Sequence, residues 1–170
     1  MTPPPKTMMT TTPTSRHKPD RFENIVSKYK ARGLTVVADF LLTKARKSKR
    51  TAITFSFALD YLNKFIEQDY KGHNIQTILK PLSSKNKGID VYKLLNSFVT
   101  YLQNDTVNGH DLAARSIGLY MVAARSYFVY NDIEISPSKF KYKISLPSVY
   151  REDEDAIDSN DIKEILHHCD

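Results

Sequence analysis

Apolar residues recur along most of this chain at the three-and-four spacing that puts them on one side of a helix. Val37, Phe40, Leu41 and Ala45 predict a first helix over about 34–46. Ala58, Tyr61, Leu62, Phe65 and Ile66 predict a longer second helix over about 49–69, with Ser48 placed to cap its first amides. A short element over 74–82 carries Ile75, Ile78, Leu79 and Leu82 on one side. Beyond the polar loop SSKNKG (83–88), Asp90 opens a third helix with Val91, Leu94, Leu95, Phe98, Val99 and Leu102 in register. The loop NDTVNGH (104–110) ends it through its Asn and Gly. A fourth helix over about 111–131 is lined by Ala113, Ile117, Tyr120, Met121, Ala124 and Phe128.

The flanks read differently. Residues 1–20 are Thr, Pro and Lys with almost nothing to bury. The stretch RFENIVSKYKAR (21–32) has room for a short basic helix, but it offers only Phe22, Ile25, Val26 and Tyr29 as a face before Gly33 breaks it, so 1–32 is expected to be a basic, largely disordered arm. In 132–156, Lys139, Lys141 and Lys143 alternate with Phe140, Tyr142 and Ile144 between Pro137 and Pro147. That period of two predicts an extended linker with its ammonium groups on one side and Phe140 and Tyr142 facing the protein. After the acidic run REDEDAID, Ser159 is placed to cap an amphipathic start with Ile162, Ile165 and Leu166. Three turns with no visible partner face in the sequence are not expected to bury that stripe, so 157–170 is expected to be the truncated start of a further domain. The expectation is thus an all-α bundle of four to five helices over 33–131, with a basic arm before it and a linker plus an orphan helix after it.

Composition adds limits. With 170 residues, 41% hydrophobic and 26% charged, the chain suits one soluble domain with appendages. No apolar run nears the eighteen or so residues of a membrane span, and the N-terminus lacks a secretory apolar stretch, so no membrane partner is expected. The single cysteine, Cys169, excludes an internal disulfide and fits a reducing, cytoplasmic setting.

The net charge of +6 is unevenly spread: residues 1–50 carry twelve Lys/Arg against three Asp/Glu, whereas 151–170 carry two against eight. A basic body with one acidic end suggests a polyanion for the body and something different at the C-terminus.

No glycine-rich phosphate loop, GxSxG or HExxH occurs, so no enzyme activity, cofactor or small-molecule substrate is expected. His167-His168-Cys169 is the one metal-like run, and adjacent residues on a helix do not converge on an ion. The positive signal is the junction of the first two helices. Lys44, Arg46, Lys47, Lys49 and Arg50 put five cations in seven positions at a helix N-terminus, where free amides favour phosphate. Ser48 and Thr51 add hydroxyls of the kind that contact DNA backbone oxygens. The plain alternative is a solvated basic turn whose Ser48 caps only its own helix. Further along, Arg115 and Ser116 begin the fourth helix, and Arg125 lies about 15 Å beyond on a different azimuth, so one of the two arginines has a structural role open to it. An extended Lys139/Lys141/Lys143 series can follow a phosphate backbone, or merely keep a linker soluble.

These motifs resemble a known family. Thr51-x-x-x-Phe55-x-x-x-Leu59-x-x-Leu62-x-x-Phe65 is similar to the opening helix of the core-binding domain of tyrosine recombinases. Asp90-Val91-Tyr92-x-Leu94-Leu95-x-x-Phe98 resembles that family's next helix. Ser116-Ile117 followed by Ala124-Arg125-Ser126-Tyr127-Phe128 is the sharpest match. Leu146-Pro147 and Ile157-Asp158-x-x-Asp161-Ile162-x-x-Ile165-Leu166 resemble the linker and first helix of the catalytic domain. The resemblance spans about residues 35–168 and implies a SAM-like bundle that clamps one face of double-stranded DNA, as in Xer-like and phage-type integrases. It implies DNA contact at the Ser48–Thr51 turn and near Arg115, Ser116 and Arg125. Other recombinase protomers sharing the duplex and a nucleoid-associated location go with it. The family's catalytic arginines, lysine, histidines and nucleophilic tyrosine would all lie past Asp170, so strand cleavage by this chain alone is not expected. It reads as a fragment of a longer integrase or as a DNA-binding remnant. A helical interaction or accessory factor that does not bind DNA is the competing reading.

Overall fold

The computed structural model describes residues 20–84, 88–104 and 112–148. The Ser159 start, the His167-His168-Cys169 run and most of the 104–110 loop lie outside them. The architecture is all-α, with seven helices and no strand among the described residues. In order they are α1 (Arg21–Ala31), α2 (Thr35–Ala45), α3 (Lys49–Asp69), α4 (Leu79–Ser83), α5 (Val91–Asn104), α6 (Ala114–Tyr130) and α7 (Pro137–Lys143).

Helix α3 is the axis: α1, α2, α5 and α6 all pack on it, and α7 lies on α5. Phe40 of α2, Leu59, Leu62 and Phe65 of α3, Phe98 of α5 and Tyr127 and Phe128 of α6 are fully buried in one continuous core. Two polar side chains are buried among them. Asn63 serves as a splice: its Oδ1 accepts from the Ile75 amide at 3.0 Å, and its Nδ2 donates to Glu67 at 2.7 Å. The turn that opens at Asn74 is thereby fixed to α3, and the expected 74–82 element resolves into that turn followed by the short α4.

The expected boundary between arm and body, at residue 32, is corrected. Residues 21–31 form a true helix whose Phe22, Val26 and Tyr29 are buried. Asp20 starts it through a capping box: its side chain accepts from the Phe22 and Glu23 amides while Glu23 accepts from the Asp20 amide. Sparse apolar content was a poor guide because two of the three buried residues are aromatic. Full burial of each such side chain is worth about 1.5–3 kcal/mol. Tyr29 also donates from its hydroxyl to the Ser56 carbonyl at 2.8 Å. Gly33 ends the helix at φ +73, with its amide on the Lys30 carbonyl and the Leu34 amide on the Tyr29 carbonyl. This is a Schellman motif, and it turns the chain directly into α2.

The same motif closes α6, with Asp132 in the left-handed position at φ 61. The Ile133 amide donates to Phe128 at 3.0 Å and the Asp132 amide to Val129 at 3.2 Å. A side chain in that conformation is strained where glycine is not. Asp132→Gly is therefore expected to raise stability by about 0.5–1 kcal/mol, read from the urea midpoint at unchanged slope.

The expected extended linker is the second correction. Ile133 and Ile135 are buried, Pro137 occupies the first turn of α7 behind the Ser136 cap, and Ile144 closes the helix against the core. Phe140 and Ile144 are four residues apart, so they fit a strand of period two and a helix equally. Tyr142 separates the two cases. A strand would turn it inward with Phe140, yet it is 90% exposed.

Candidate nucleic-acid interface

Only Arg46, Lys47 and Ser48 separate α2 from α3, and this junction is held by its own backbone. The Lys47 and Ser48 amides both donate to the Lys44 carbonyl at 3.1 Å. Ser48 Oγ accepts from the Thr51 amide at 3.2 Å, so the serine does cap its own helix, as the sequence predicts. Thr51 itself is exposed.

The five cations here are not equivalent. Lys44 is half-buried, with Nζ 5.2 Å from the centre of the Phe40 ring and 6.0 Å from that of Phe55. Lys49 is committed to Asp20, Nζ to Oδ2, at 2.6 Å. Arg46, Lys47 and Arg50 remain: all three are exposed, and none has a carboxylate partner among the described residues. A cation without a local counter-ion at a helix N-terminus is what a phosphate requires.

The Lys49 hydrogen bond holds the Asp20 carboxyl below its ordinary value, helped by the Glu23 amide. A depressed carboxylate stabilises the fold above its unfolded pKa and stops doing so as pH falls through the lower folded value. The Tm of the wild type should therefore exceed that of Lys49→Met near neutrality. The gap should begin to narrow as pH drops below about 3.9, the ordinary aspartate value, and be gone once pH has passed the lower folded value. A gap that persists unchanged into acid would show that the pair contributes nothing.

Helix α6 separates its two arginines. Arg115 projects from the first turn into solvent, with Ser116 half-buried beside it. Arg125 is half-buried, its guanidinium 5.1 Å from the centre of the Phe140 ring on α7. It shares a cleft of about 460 Å³ with Lys44, a residue 81 positions earlier. Met121, Val122, Val129 and Leu146 make the cleft apolar. Sequence reasoning passed over it, although Val122 and Val129, lying off the apolar stripe of their own helix, were a visible sign.

The expected single rail of α7 lysines is also corrected. On a helix, Lys139 and Lys143 share a side and Lys141 points away. Lys143 lies against α5, with Nζ 5.2 Å from the centre of the Tyr92 ring. Phe140 does face the protein, and Tyr142 does not.

The tyrosines that the fold immobilises are unsuited to nucleophilic chemistry. Burial pushes the phenols of Tyr29 and Tyr127 far up, and the hydroxyls donate to the Ser56 and Ile75 carbonyls. Among the described residues no three His, Cys, Asp or Glu side chains gather to hold a metal, and no helix is long and apolar enough to cross a membrane. Comparison with protein-family models, with curated proteins and with solved structures gives no match for this chain.

Proposed function

We propose that this protein binds double-stranded DNA through phosphates, as the core-binding module of a site-specific tyrosine recombinase, without cutting strands itself. The observation that carries the reading is the Arg46-Lys47 and Arg50 group, exposed at the start of the central helix with no carboxylate partner among the described residues. Its position is rigid, because α3 is packed on four other helices and the junction has no slack. Lys44 and Arg125 extend positive charge onto the neighbouring cleft, and Arg115 marks the far end of the same helix α6.

The resemblance to the recombinase domain supports the more specific half of the proposal. Phe55, Leu59, Leu62 and Phe65 of its first motif are buried, so they are what any bundle needs. Thr51, Ser116, Arg125 and Ser126 are not core residues, and they carry the functional part of the likeness. Such an interface would read little base sequence, since phosphate contacts position a protein without specifying a site.

The test is a fluorescence-anisotropy titration of a labelled duplex between about 50 and 200 mM salt, where phosphate-driven binding weakens with a log–log slope of about −0.9 per neutralised phosphate. No binding at the lowest salt, or binding indifferent to salt, would overturn the reading. The apolar cleft favours a second reading, a helical interaction factor, whose binding would be of that salt-indifferent kind.

A further inference from the structure

The cleft between α6, α7 and Leu146 is walled mainly by apolar side chains, which phosphate contacts leave unexplained. We propose that it is the docking site for this chain's own acidic C-terminal segment, residues 157–166, bound in cis as a short amphipathic helix. This proposal does not depend on duplex binding.

Four properties of the cleft and the segment agree. Val122 and Val129 are 57% and 51% exposed, and Leu146 is 45% exposed, a concentration of uncovered apolar surface on one face. The segment carries Ile162, Ile165 and Leu166 at the i, i+3, i+4 spacing that such a face accepts. Charge is complementary: among the described residues the cleft is lined by Lys44 and Arg125 and no carboxylate, while 157–166 carries Asp158, Asp161 and Glu164 against Lys163 and follows the acidic run 152–155. Length fits as well. Gly118 to Val129 spans about 16 Å of α6, and a ten-residue helix is about 15 Å long.

The tether allows it. The described chain runs past Leu146, a wall of the cleft, to Ser148. The nine residues from Ser148 to Ile157 reach at most about 30 Å when extended, enough to lay the segment back along the helix it has just left. The acidic run 152–155 would then lie beside the cationic rim rather than in the apolar floor. Hydrophobic contact would supply the binding, and charge would select the orientation.

Cys169, the chain's single cysteine, stands three residues past Leu166 and gives a direct test in the full chain. With a nitroxide on Cys169 and no DNA present, the methyl resonances of Met121, Val122, Val129 and Leu146 should broaden severalfold more than that of Val26 on α1. Two variants should abolish the difference: Val122→Asp, at an exposed position that folding does not need, and Ile165→Asp with Leu166→Asp in the segment. Uniform broadening across both sets of methyls, or selective broadening that neither variant changes, would overturn the proposal. An isotope-labelled Cys169→Ser chain mixed with an unlabelled, nitroxide-bearing chain distinguishes the occupant. Broadening of its cleft methyls would assign the site to a second copy and overturn the intramolecular arrangement.

Discussion

Replacing Phe65 with alanine is expected to destabilise the protein by about 3–5 kcal/mol, a large share of the 5–15 kcal/mol that a domain usually has. Phe65 is fully buried at the point where α3, α5 and the chain after α3 meet. Its ring centroid lies 5.4 Å from Phe98, 5.3 Å from Tyr101 and 5.9 Å from Tyr70. Truncation removes the transfer free energy of a whole aromatic ring and leaves a cavity that three other rings, each held by its own backbone, cannot fill. It also forfeits edge and offset ring contacts worth about 0.5–1.5 kcal/mol per pair beyond buried area. Phe57→Ala, eight residues earlier on α3 but on its exposed side, is the control and should cost about 1 kcal/mol at most, the worth of an exposed contact with the Arg21 guanidinium 5.7 Å from its ring. Urea unfolding of both variants reads the difference. Comparable losses at the two positions would mean that the core does not lie where α3 places it.

The second large effect concerns duplex binding. Arg46→Glu, Lys47→Glu and Arg50→Glu together should weaken binding on the order of a hundredfold at 0.1 M salt, and flatten the salt slope by about 2.7. The choice of residues comes from the structure. Sequence alone nominates Lys49 as readily as its neighbours, but Lys49 is paired with Asp20, the residue that starts α1. Reversing it would bring two carboxylates together and disturb a helix end, so a loss of binding could not be ascribed to DNA contact. The other three side chains are exposed and have no such partner among the described residues, and their reversal should leave the Tm close to that of the wild type. An unchanged affinity and slope would remove the junction from any DNA interface.

A broad basic surface with an acidic segment elsewhere in the same chain also affects how such titrations are read. If 157–166 docks beside Lys44 and Arg125, its carboxylates compete with phosphate on that side of the molecule. The Ile165→Asp and Leu166→Asp chain would then bind a duplex more tightly than the wild type despite carrying two more negative charges. Plain electrostatics predicts the opposite sign. The nitroxide measurement needs no DNA, so failure of either proposal leaves the other standing.

Much of the helical order was legible in the sequence because helix formation is governed by local periods and local caps. The expected 49–69 helix matches α3, and 34–46 differs from α2 by a residue at each end. In both cases a continuous apolar stripe acts within one or two turns, and Ser48 marks where the second helix starts. The basic junction was legible for the same reason, being contiguous in sequence.

Tertiary contact decided the rest. Residues 21–31 hold too few apolar side chains to announce a core element, and only the site that receives Tyr29 between α2 and α3 makes them one. The Lys-Phe-Lys-Tyr-Lys alternation fits two geometries, and the anchoring of Ser136 and Ser145 to Tyr92 and Asn96 of α5 selects the helix. The cleft that joins Lys44 to Arg125 has no signature in spacing at all, because 81 residues separate them. The sequence by itself thus determined which segments coil and where cations gather, since those depend on neighbours along the chain. Which cations stay free, which face of α6 stays uncovered and where the body begins depend on neighbours in space, and only the packed structure supplies those.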